Sequence, residues 1–572
     1  MIDFEKLDSL SKENKLIETT KNGLYTLKIN QTYIHSIYDP YREAERILKP
    51  LEELSPGENL IIFFGAGIGY HIELLEKRGF RNVIIIELNR DVLKIFKKVY
   101  RLPEGYFLIS PDDKPEKLDS IFSLFEIQKF KRIKTIQFRA TYDRDLYKSY
   151  EDRIQRLLEV KLGDFTTRMK FEEIWFINML KNISFLNSSV EVAKLFSLAR
   201  NLPVILISAG PSLKETLKYL KEIEGYAIFI AVDTAILPLY EADIKVDFVY
   251  SLDSQVHNLS DFLMVSKNYI SRTNLIYDIV SNPALIAYFS NIRKNGSYNF
   301  ISTTAHLDFD YNNNPFFVKS EFVNWIEAKG GIRLGDIETG GSVSTSAFHF
   351  AYLLGGNPII LTGQDLAFSF NVSHSPSSSH FYRLLNRTHR LNTVETLFFS
   401  IIQSRKLLEE FSIDGKKITS DFVLHNFKGW FEESAKNIKN FQKNISLINA
   451  SLYGVKIENF ETIAFDNLIS KLKKEYKKID KNLFFSFSLI ENYKVDKIID
   501  GIIKLKDFLC NLPVDENLFL NIEKSEFYFL RRYFMRERIL YERYEKLDKE
   551  TLRRKIHRIT KNIEGLYARK AD

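Results

Sequence analysis

The chain has 572 residues, 45% hydrophobic and 27% charged, with a net charge of +7 and a single cysteine, Cys510. These proportions are typical of globular proteins and exclude disordered, collagen-like and low-complexity classes, while one cysteine excludes an intramolecular disulfide and a cysteine-rich metal centre. The length corresponds to three or four domains. The N-terminal segment has no apolar run and the longest apolar stretches are only strand-length, so we expect a cytoplasmic protein without a membrane span.

The first predicted domain, residues 1–145, contains a strand, a glycine-rich turn and a helix. An apolar strand over 59–64 runs into the turn at 65–69, and a helix is predicted over 70–78. A second strand over 82–86 ends at an acid that commonly accepts hydrogen bonds from ribose hydroxyls. The candidate nucleotide-type loop residues are Gly65, Gly67, Gly69 and Glu87. The pattern resembles the cofactor loop of S-adenosylmethionine methyltransferases, but no catalytic set accompanies it, so we do not infer methyl transfer.

The rest of the chain continues the α/β pattern and then becomes helical. Residues 146–200 are long, amphipathic and nearly free of Gly and Pro, which predicts a helical connector. Residues 201–465 return to strands separated by helices, and residues 466–572 show helical spacing with few glycines. The sequence therefore predicts an α/β protein with two Rossmann-like doubly wound domains, N-terminal and central, followed by a helical C-terminal domain.

Three consecutive strands of the central domain end in small or acidic polar residues. Strands are predicted over 204–208, 227–232 and 248–252. They are followed by SAGPSL at 208–213, by DTA at 233–235 and by DSQ at 253–255. Because the carboxyl ends of parallel strands converge on one crevice, these residues predict a nucleotide-type pocket, although Asp and Ser are also ordinary turn residues.

Two later segments add candidate residues to the same pocket. The segment 338–345 reads ETGGSVST before a helix predicted over 344–354, and its glycines and hydroxyls form a plausible anion cradle or a simple helix cap. A strand over 358–362 then ends in Gly363, Gln364 and Asp365.

At these residues the chain resembles the bacterial motility-associated-factor (Maf) glycosyltransferases, which attach nonulosonic sugars to flagellin. The matching motifs are SAGPSL at 208–213, AVDTA at 231–235, GGSV at 340–343, GQDLA at 363–367, WFE at 430–432 and INAS at 448–451. The central domain is also similar, more distantly, to bacterial sialyltransferases that use a cytidine-monophosphate (CMP) activated sugar. Asp233 stands where those enzymes tend to carry an amide.

The resemblance implies transfer of a pseudaminic- or legionaminic-type sugar from its CMP form to Ser or Thr of flagellin, as needed for flagellum assembly and motility. It also implies that no cofactor is required and that the partner is flagellin, with or without its chaperone. The implied donor-binding residues are Gly210, Pro211, Ser212, Asp233, Asp253, Gly340, Gly341, Ser342, Gln364 and Asp365. The implied catalytic residues are His374 as first choice for the base, His380 as second, and Asp233.

Such chemistry needs positioning, neutralisation of the departing phosphate and a base near the acceptor hydroxyl. A histidine with a pKa near ~6.5 suits that base, whereas both candidates are also typical of exposed loop residues. Asp233, Asp253 and Asp365 are compatible with a divalent cation, although their spacing does not demand one.

Two other readings stay open at this point. The central section alone resembles archaeal pterin pyrophosphokinases, which are much shorter, and a non-catalytic module that binds flagellin and senses a nucleotide sugar would carry the same pocket. Nucleic-acid binding is not predicted, because the basic excess lies in residues 531–572, where 7 acidic residues are mixed with 14 basic ones.

Overall fold

The computed structural model describes residues 1–113, 116–124, 130, 132–138, 144–293, 296–309, 315–481, 486–544 and 546–571. The chain divides into two compact units, one made of residues 1–170 with 308–316 and the other of residues 171–307 with 317–572. A 39-residue helix, α6 (Arg144–Asn182), follows the last strand of the first sheet. The four-part division stays a prediction.

The first unit contains a three-stranded antiparallel sheet and a four-stranded parallel sheet. The strands are β1 (Ile17–Thr19), β2 (Tyr25–Ile29), β3 (Thr32–Tyr33), β4 (Asn59–Phe64), β5 (Val83–Ile86), β6 (Tyr106–Ile109) and β7 (Arg132–Gln137). The helices before α6 are α1 (Phe4–Glu13), α2 (Pro40–Leu48), α3 (Tyr70–Lys77), α4 (Arg90–Val99) and α5 (Glu116–Leu124). The parallel sheet has the order β6-β5-β4-β7, which is the order of a Rossmann-type half.

Alternate residues of β4 enter two different cores. Ile61 and Phe63 belong to the core on one face of the sheet, and Leu60 and Ile62 belong to the core on the other. A continuous apolar strand is what a sheet covered on both faces requires.

The second unit is built on an 11-stranded sheet. Its strands are β8 (Val190–Glu191), β9 (Val204–Ile207), β10 (Ile228–Val232), β11 (Phe248–Ser251), β12 (Asn274–Asp278), β13 (Asn299–Phe309), β14 (Pro315–Lys319), β15 (Asp336–Glu338), β16 (Ile359–Thr362), β19 (Leu447–Asn449) and β20 (Glu461–Thr462), and a separate hairpin is formed by β17 (Leu407–Phe411) and β18 (Lys417–Asp421).

The helices that surround this sheet are α7 (Leu213–Glu222), α8 (Ile236–Glu241), α9 (Ser260–Leu263), α10 (Lys267–Ile270), α11 (Pro283–Ile292), α12 (Glu321–Gly330), α13 (Val343–Leu353), α14 (Ser379–Leu385), α15 (Val394–Gln403) and α16 (Phe422–Phe441). The C-terminal region is helical, with α17 (Phe465–Glu475), α18 (Asn492–Asn511), α19 (Leu518–Lys524), α20 (Leu530–Tyr533), α21 (Met535–Tyr544) and α22 (Lys549–Ala571). In the described residues no helix is long and apolar enough to span a membrane.

The predicted fold class is confirmed by this topology. The large sheet runs β13-β12-β11-β10-β9-β16-β19-β20, and the pairs from β13 to β20 are parallel. The strands predicted over 204–208, 227–232, 248–252 and 358–362 are β9, β10, β11 and β16, each within one residue at either end. The chain adds strands on one side of β9 as far as β13 and then returns to its other side with β16.

Candidate functional site

The candidate site lies at the carboxyl ends of β9 and β16. The chain leaves β9 toward β10, whereas β16 is the neighbour of β9 on the opposite side. In a doubly wound sheet such a reversal of strand order opens a crevice beyond the strand ends, and ligands bind there. The segments 208–212 and 363–365 directly follow these two strands, so both predicted loops lie at this position.

Glycines allow the two loops to approach closely. The Gly210 amide donates a hydrogen bond of 2.8 Å to the carbonyl of Gly363. A Cβ on Gly210 would lie 2.4 Å from that carbonyl oxygen and 2.9 Å from the carboxyl carbon of Asp365. Gly363 has a φ of +65°, and a Cβ there would lie 2.1 Å from the Ser208 carbonyl oxygen. Neither position has room for a side chain.

Hydrogen bonds of side chains also connect the loops 208–212 and 363–365. The Ser208 hydroxyl donates to Oε1 of Gln364 at 2.6 Å. The Ser212 amide donates to Oδ2 of Asp365 at 2.7 Å, and the Ser212 hydroxyl donates to the other carboxylate oxygen. The Gln364 amide in turn donates to the Ser451 hydroxyl at 3.0 Å, which gives the INAS motif a place at the site.

Asp365 is a buried carboxyl group at the centre of this arrangement. Burial raises its pKa to about 7, although the amide and hydroxyl of Ser212 favour the charged form. Pro211, which precedes Ser212, is also buried. Asp365, Ser212 and Pro211 therefore form the buried part of the crevice, and Gly210 lies at its half-exposed edge.

The ends of β10 and β11 carry an acidic group. Oδ2 of Asp233 accepts from Nδ2 of Asn258 at 2.9 Å, and its Oδ1 accepts from the Thr234 amide at 2.8 Å. Burial and the nearby carboxylate of Asp261 raise the pKa of Asp233. Asp253 is exposed and adds a further negative charge. These surroundings favour the protonated form of the Asp233 carboxyl.

The glycine–hydroxyl loop begins α13, which packs on β9 and β10. Ser342 is its N-cap, and Gly340 donates its amide to the Thr345 hydroxyl at 2.9 Å. A Cβ on Gly340 would lie 2.4 Å from the Trp430 ring, whereas Gly341 is exposed with a φ of +91°. The WFE motif therefore supports this loop from α16, and the predicted anion cradle stays a prediction.

The two candidate bases lie next to each other. The rings of His374 and His380 are stacked, with centroids 4.4 Å apart and planes inclined by 8°. Both side chains are half-buried, and the adjacent Ser375 amide donates to the Ala209 carbonyl at 2.8 Å. Burial lowers the pKa of His374 to about 3 and that of His380 to about 4. Both imidazoles are therefore neutral at pH 7 and weaker bases than the ordinary histidine expected from the sequence.

The glycine loop of the first unit uses its polar groups internally. Glu87 is fully buried, and its Oε2 accepts from the Ala66 amide at 2.8 Å. Its Oε1 accepts from the Asn89 amide at 2.9 Å and from the Tyr147 hydroxyl at 3.1 Å. The carboxylate expected to meet ribose hydroxyls is therefore bonded to its own loop, 65–69.

A histidine occupies the space in front of this loop. Nε2 of His35 accepts from the Ile68 amide at 2.7 Å, and a Cβ on Gly67 would lie 2.4 Å from the same nitrogen. The His35 ring also lies against Phe138, at 4.8 Å between centroids. Gly65 and Gly69 take positive φ values of 98° and 109°, so the predicted turn is present and filled by the protein itself.

The structure does not gather the three aspartates suggested as cation ligands. Asp365 is bonded to Ser212, whereas Asp233 and Asp253 lie with Asp261 at the ends of β10 and β11. Within the described residues there is no group of three or more His, Cys, Asp or Glu arranged to hold a metal ion.

Three residues at the site were not anticipated from the sequence. Asp261 lies beside Asp233, and Arg383 and Arg405 lie close enough to His374 to lower its pKa. No motif marks them, since two arginines among 81 basic residues carry no signal until the fold brings them to one place.

Part of the chain matches a known protein family. Residues 177–371 match the model of a family described as 6-hydroxymethylpterin diphosphokinase MptE-like. No curated protein sequence matches the chain. The matched segment includes β9, β10, β16 and the two loops of the candidate site at 208–212 and 363–365.

Over its full length the chain is similar to a solved structure of the Maf glycosyltransferase from Magnetospirillum magneticum AMB-1. The similarity has a TM-score of 0.53 at 14% sequence identity and covers 98% of this chain and 92% of that one. The Maf resemblance read from the motifs is thereby confirmed at the level of the fold, including the first unit and the helical C-terminal region.

Proposed function

We propose that this protein is a glycosyltransferase that moves a nonulosonic acid of the pseudaminic or legionaminic type from its CMP-activated form to Ser or Thr of flagellin. The observation that carries the proposal is the Maf-type fold along the whole chain, with the predicted donor loops adjoining at the point where the strand order of its central sheet reverses.

The crevice has the groups that such a donor needs. The loops at 208–212 and 363–365 are tightly bonded to each other, so a nucleotide meets a surface that does not have to reorganise. α7 and α13 both begin at this edge of the sheet, and the positive ends of helices favour a phosphate.

The transfer step requires one proton acceptor. The bond between the anomeric carbon of the sugar and the phosphate oxygen breaks, and CMP leaves with the electron pair. The acceptor hydroxyl oxygen forms the new bond to that carbon and gives its proton to the neutral imidazole of His374, with His380 as the second candidate. No metal or other cofactor is part of this proposed step.

The test is intact-mass analysis of flagellin co-expressed with this chain, with and without a pathway that makes a CMP-activated nonulosonic acid. A mass increment that needs both components supports transfer and identifies the sugar. His374→Gln and Asp233→Ala should abolish the increment while flagellin still co-purifies, whereas His557→Gln, on exposed helix surface, should retain it. Full glycosylation by both site variants would contradict the residue assignments.

The MptE-like match keeps a second candidate function in view, a pyrophosphoryl transfer from ATP to a hydroxymethylpterin. Incubation with ATP and 6-hydroxymethyl-dihydropterin distinguishes the two, because only the pterin enzyme releases AMP. No mass increment, no AMP and intact co-purification with flagellin would instead indicate a binding module without catalysis.

A further inference from the structure

Four basic side chains converge beside the candidate site. His374 and His380 form the stacked pair, and Arg383 follows His380 by three residues on α14, so the two lie on the same side of the helix. Arg405 comes from the chain segment after α15. Three of these four residues belong to segment 374–383, and the structure brings the fourth to them from outside it.

Each of the two arginines forms an ion pair with a buried acid. Nη2 of Arg383 lies 3.6 Å from Oδ1 of Asp261, and its Nη1 donates to the Ser260 hydroxyl at 3.2 Å. Nη1 of Arg405 lies 2.8 Å from Oδ2 of Asp421. The acids are 5% and 2% exposed, whereas the arginine side chains are 41% and 40% exposed. Both guanidinium groups are thus fixed in place and still accessible.

The same contacts attach the cluster to the strand ends of the crevice. Arg405 lies over the Phe368 ring, at 5.6 Å from its centroid, and Phe368 is three residues beyond Asp365. Asp261, the partner of Arg383, faces Asp233 at the end of β10. The basic groups therefore adjoin the ends of β10 and β16 and, through the Ser375 amide on the Ala209 carbonyl, the end of β9.

The charges in this cluster belong to the arginines. Burial is the main cause that lowers the pKa of His374, and His380, Arg405 and Arg383 lower it further. The imidazoles are consequently neutral, and the two guanidinium groups present N–H donors in the planar arrangement that suits an oxyanion.

We infer that Arg383 and Arg405 form an oxyanion subsite of the candidate site, which takes the phosphate or the carboxylate of an anionic donor. The inference rests on the proposed function and adds to it the residues that neutralise the donor. Both arginines are close enough to His374 to lower its pKa, so an oxyanion bound by these guanidinium groups would lie near the imidazole proposed to take the acceptor's proton.

The test is calorimetric titration of the full chain with CMP, cytidine, N-acetylneuraminic acid and inorganic phosphate. Loss of either arginine would leave a buried acid without its ion-pair partner. The variants are therefore charge-balanced pairs, Arg383→Gln/Asp261→Asn and Arg405→Gln/Asp421→Asn. Arg387→Gln and Arg390→Gln, both at exposed positions after α14, are the matched controls.

We expect each double variant to bind CMP about 10- to 100-fold more weakly and cytidine unchanged, since a hydrogen bond to a charged group is worth about 1.5–3 kcal/mol. A loss confined to N-acetylneuraminic acid would assign the subsite to the sugar carboxylate. Unchanged binding of both CMP and N-acetylneuraminic acid in both double variants, or a loss of CMP binding that cytidine shares, would overturn the subsite and leave the proposed function standing. Arginine-dependent binding of phosphate without any binding of CMP would retain the subsite and overturn the donor.

Discussion

Replacing Asp365 by asparagine should remove a pH-dependent part of the stability of this protein. Burial raises the pKa of this carboxyl from 3.8 to about 7, so the folded protein binds the proton more tightly than the unfolded chain does. The contribution of this bound proton to the free energy of unfolding is complete below about pH 4 and is lost as the pH rises to about 7. Each pKa unit is worth 1.36 kcal/mol, so the loss amounts to about 4 kcal/mol.

Asparagine keeps the shape of the side chain and an acceptor for the Ser212 amide, but it does not titrate. Urea unfolding followed by intrinsic fluorescence at pH 4 to 8 measures the effect. The wild type should lose up to about 4 kcal/mol relative to Asp365→Asn over this range. Asp500→Asn, at an exposed position on α18, is the control and should follow the wild type. Parallel stability curves for the wild type and Asp365→Asn would show that burial does not raise the pKa of Asp365.

The remaining predictions concern the loops and the base. Gly210→Ala should weaken CMP binding at least about 10-fold in a titration, because its Cβ would meet the Gly363 carbonyl at 2.4 Å; unchanged affinity would show that the loops separate at little cost. Glu87→Gln should lower the free energy of unfolding by about 1–3 kcal/mol, since Gln has one acceptor oxygen for the two backbone amides, of Ala66 and Asn89, that the two carboxylate oxygens accept; equal urea midpoints would contradict this. His374→Gln should reduce sugar transfer about 10²- to 10⁴-fold with CMP affinity kept, as expected for loss of a general base. Because the pKa of His374 is lowered to about 3, kcat/KM of the wild type should show no loss from this group between pH 8 and pH 5; an imidazole titration near pH 6.5 would contradict its placement.

The sequence predicted the strands and the donor loops because their signals are local. An apolar run followed by Gly210, or by Gly363, specifies a buried strand and a close turn without reference to distant residues. The INAS and WFE motifs resemble those of the Maf family, but the sequence does not reveal their contacts, which are Ser451 with Gln364 and Trp430 with Gly340.

The parts that sequence reasoning missed depend on long-range packing. His35 fills the first glycine loop from 33 residues away, so nothing near Gly67 indicates that the loop is closed. Arg405 is placed at the site by its ion pair with Asp421, the N-cap of α16, and by its contact with the Phe368 ring. In such cases the role of a charged residue depends on a partner that local sequence patterns do not identify.

The most direct test of sugar transfer to flagellin is a reaction of purified components, in which CMP release and the mass of flagellin are followed together. We expect CMP and added sugar to appear in equal molar amounts, and both to disappear in His374→Gln. CMP binding with no sugar transferred to flagellin under any condition, or AMP released from ATP in the presence of hydroxymethylpterin, would contradict this expectation.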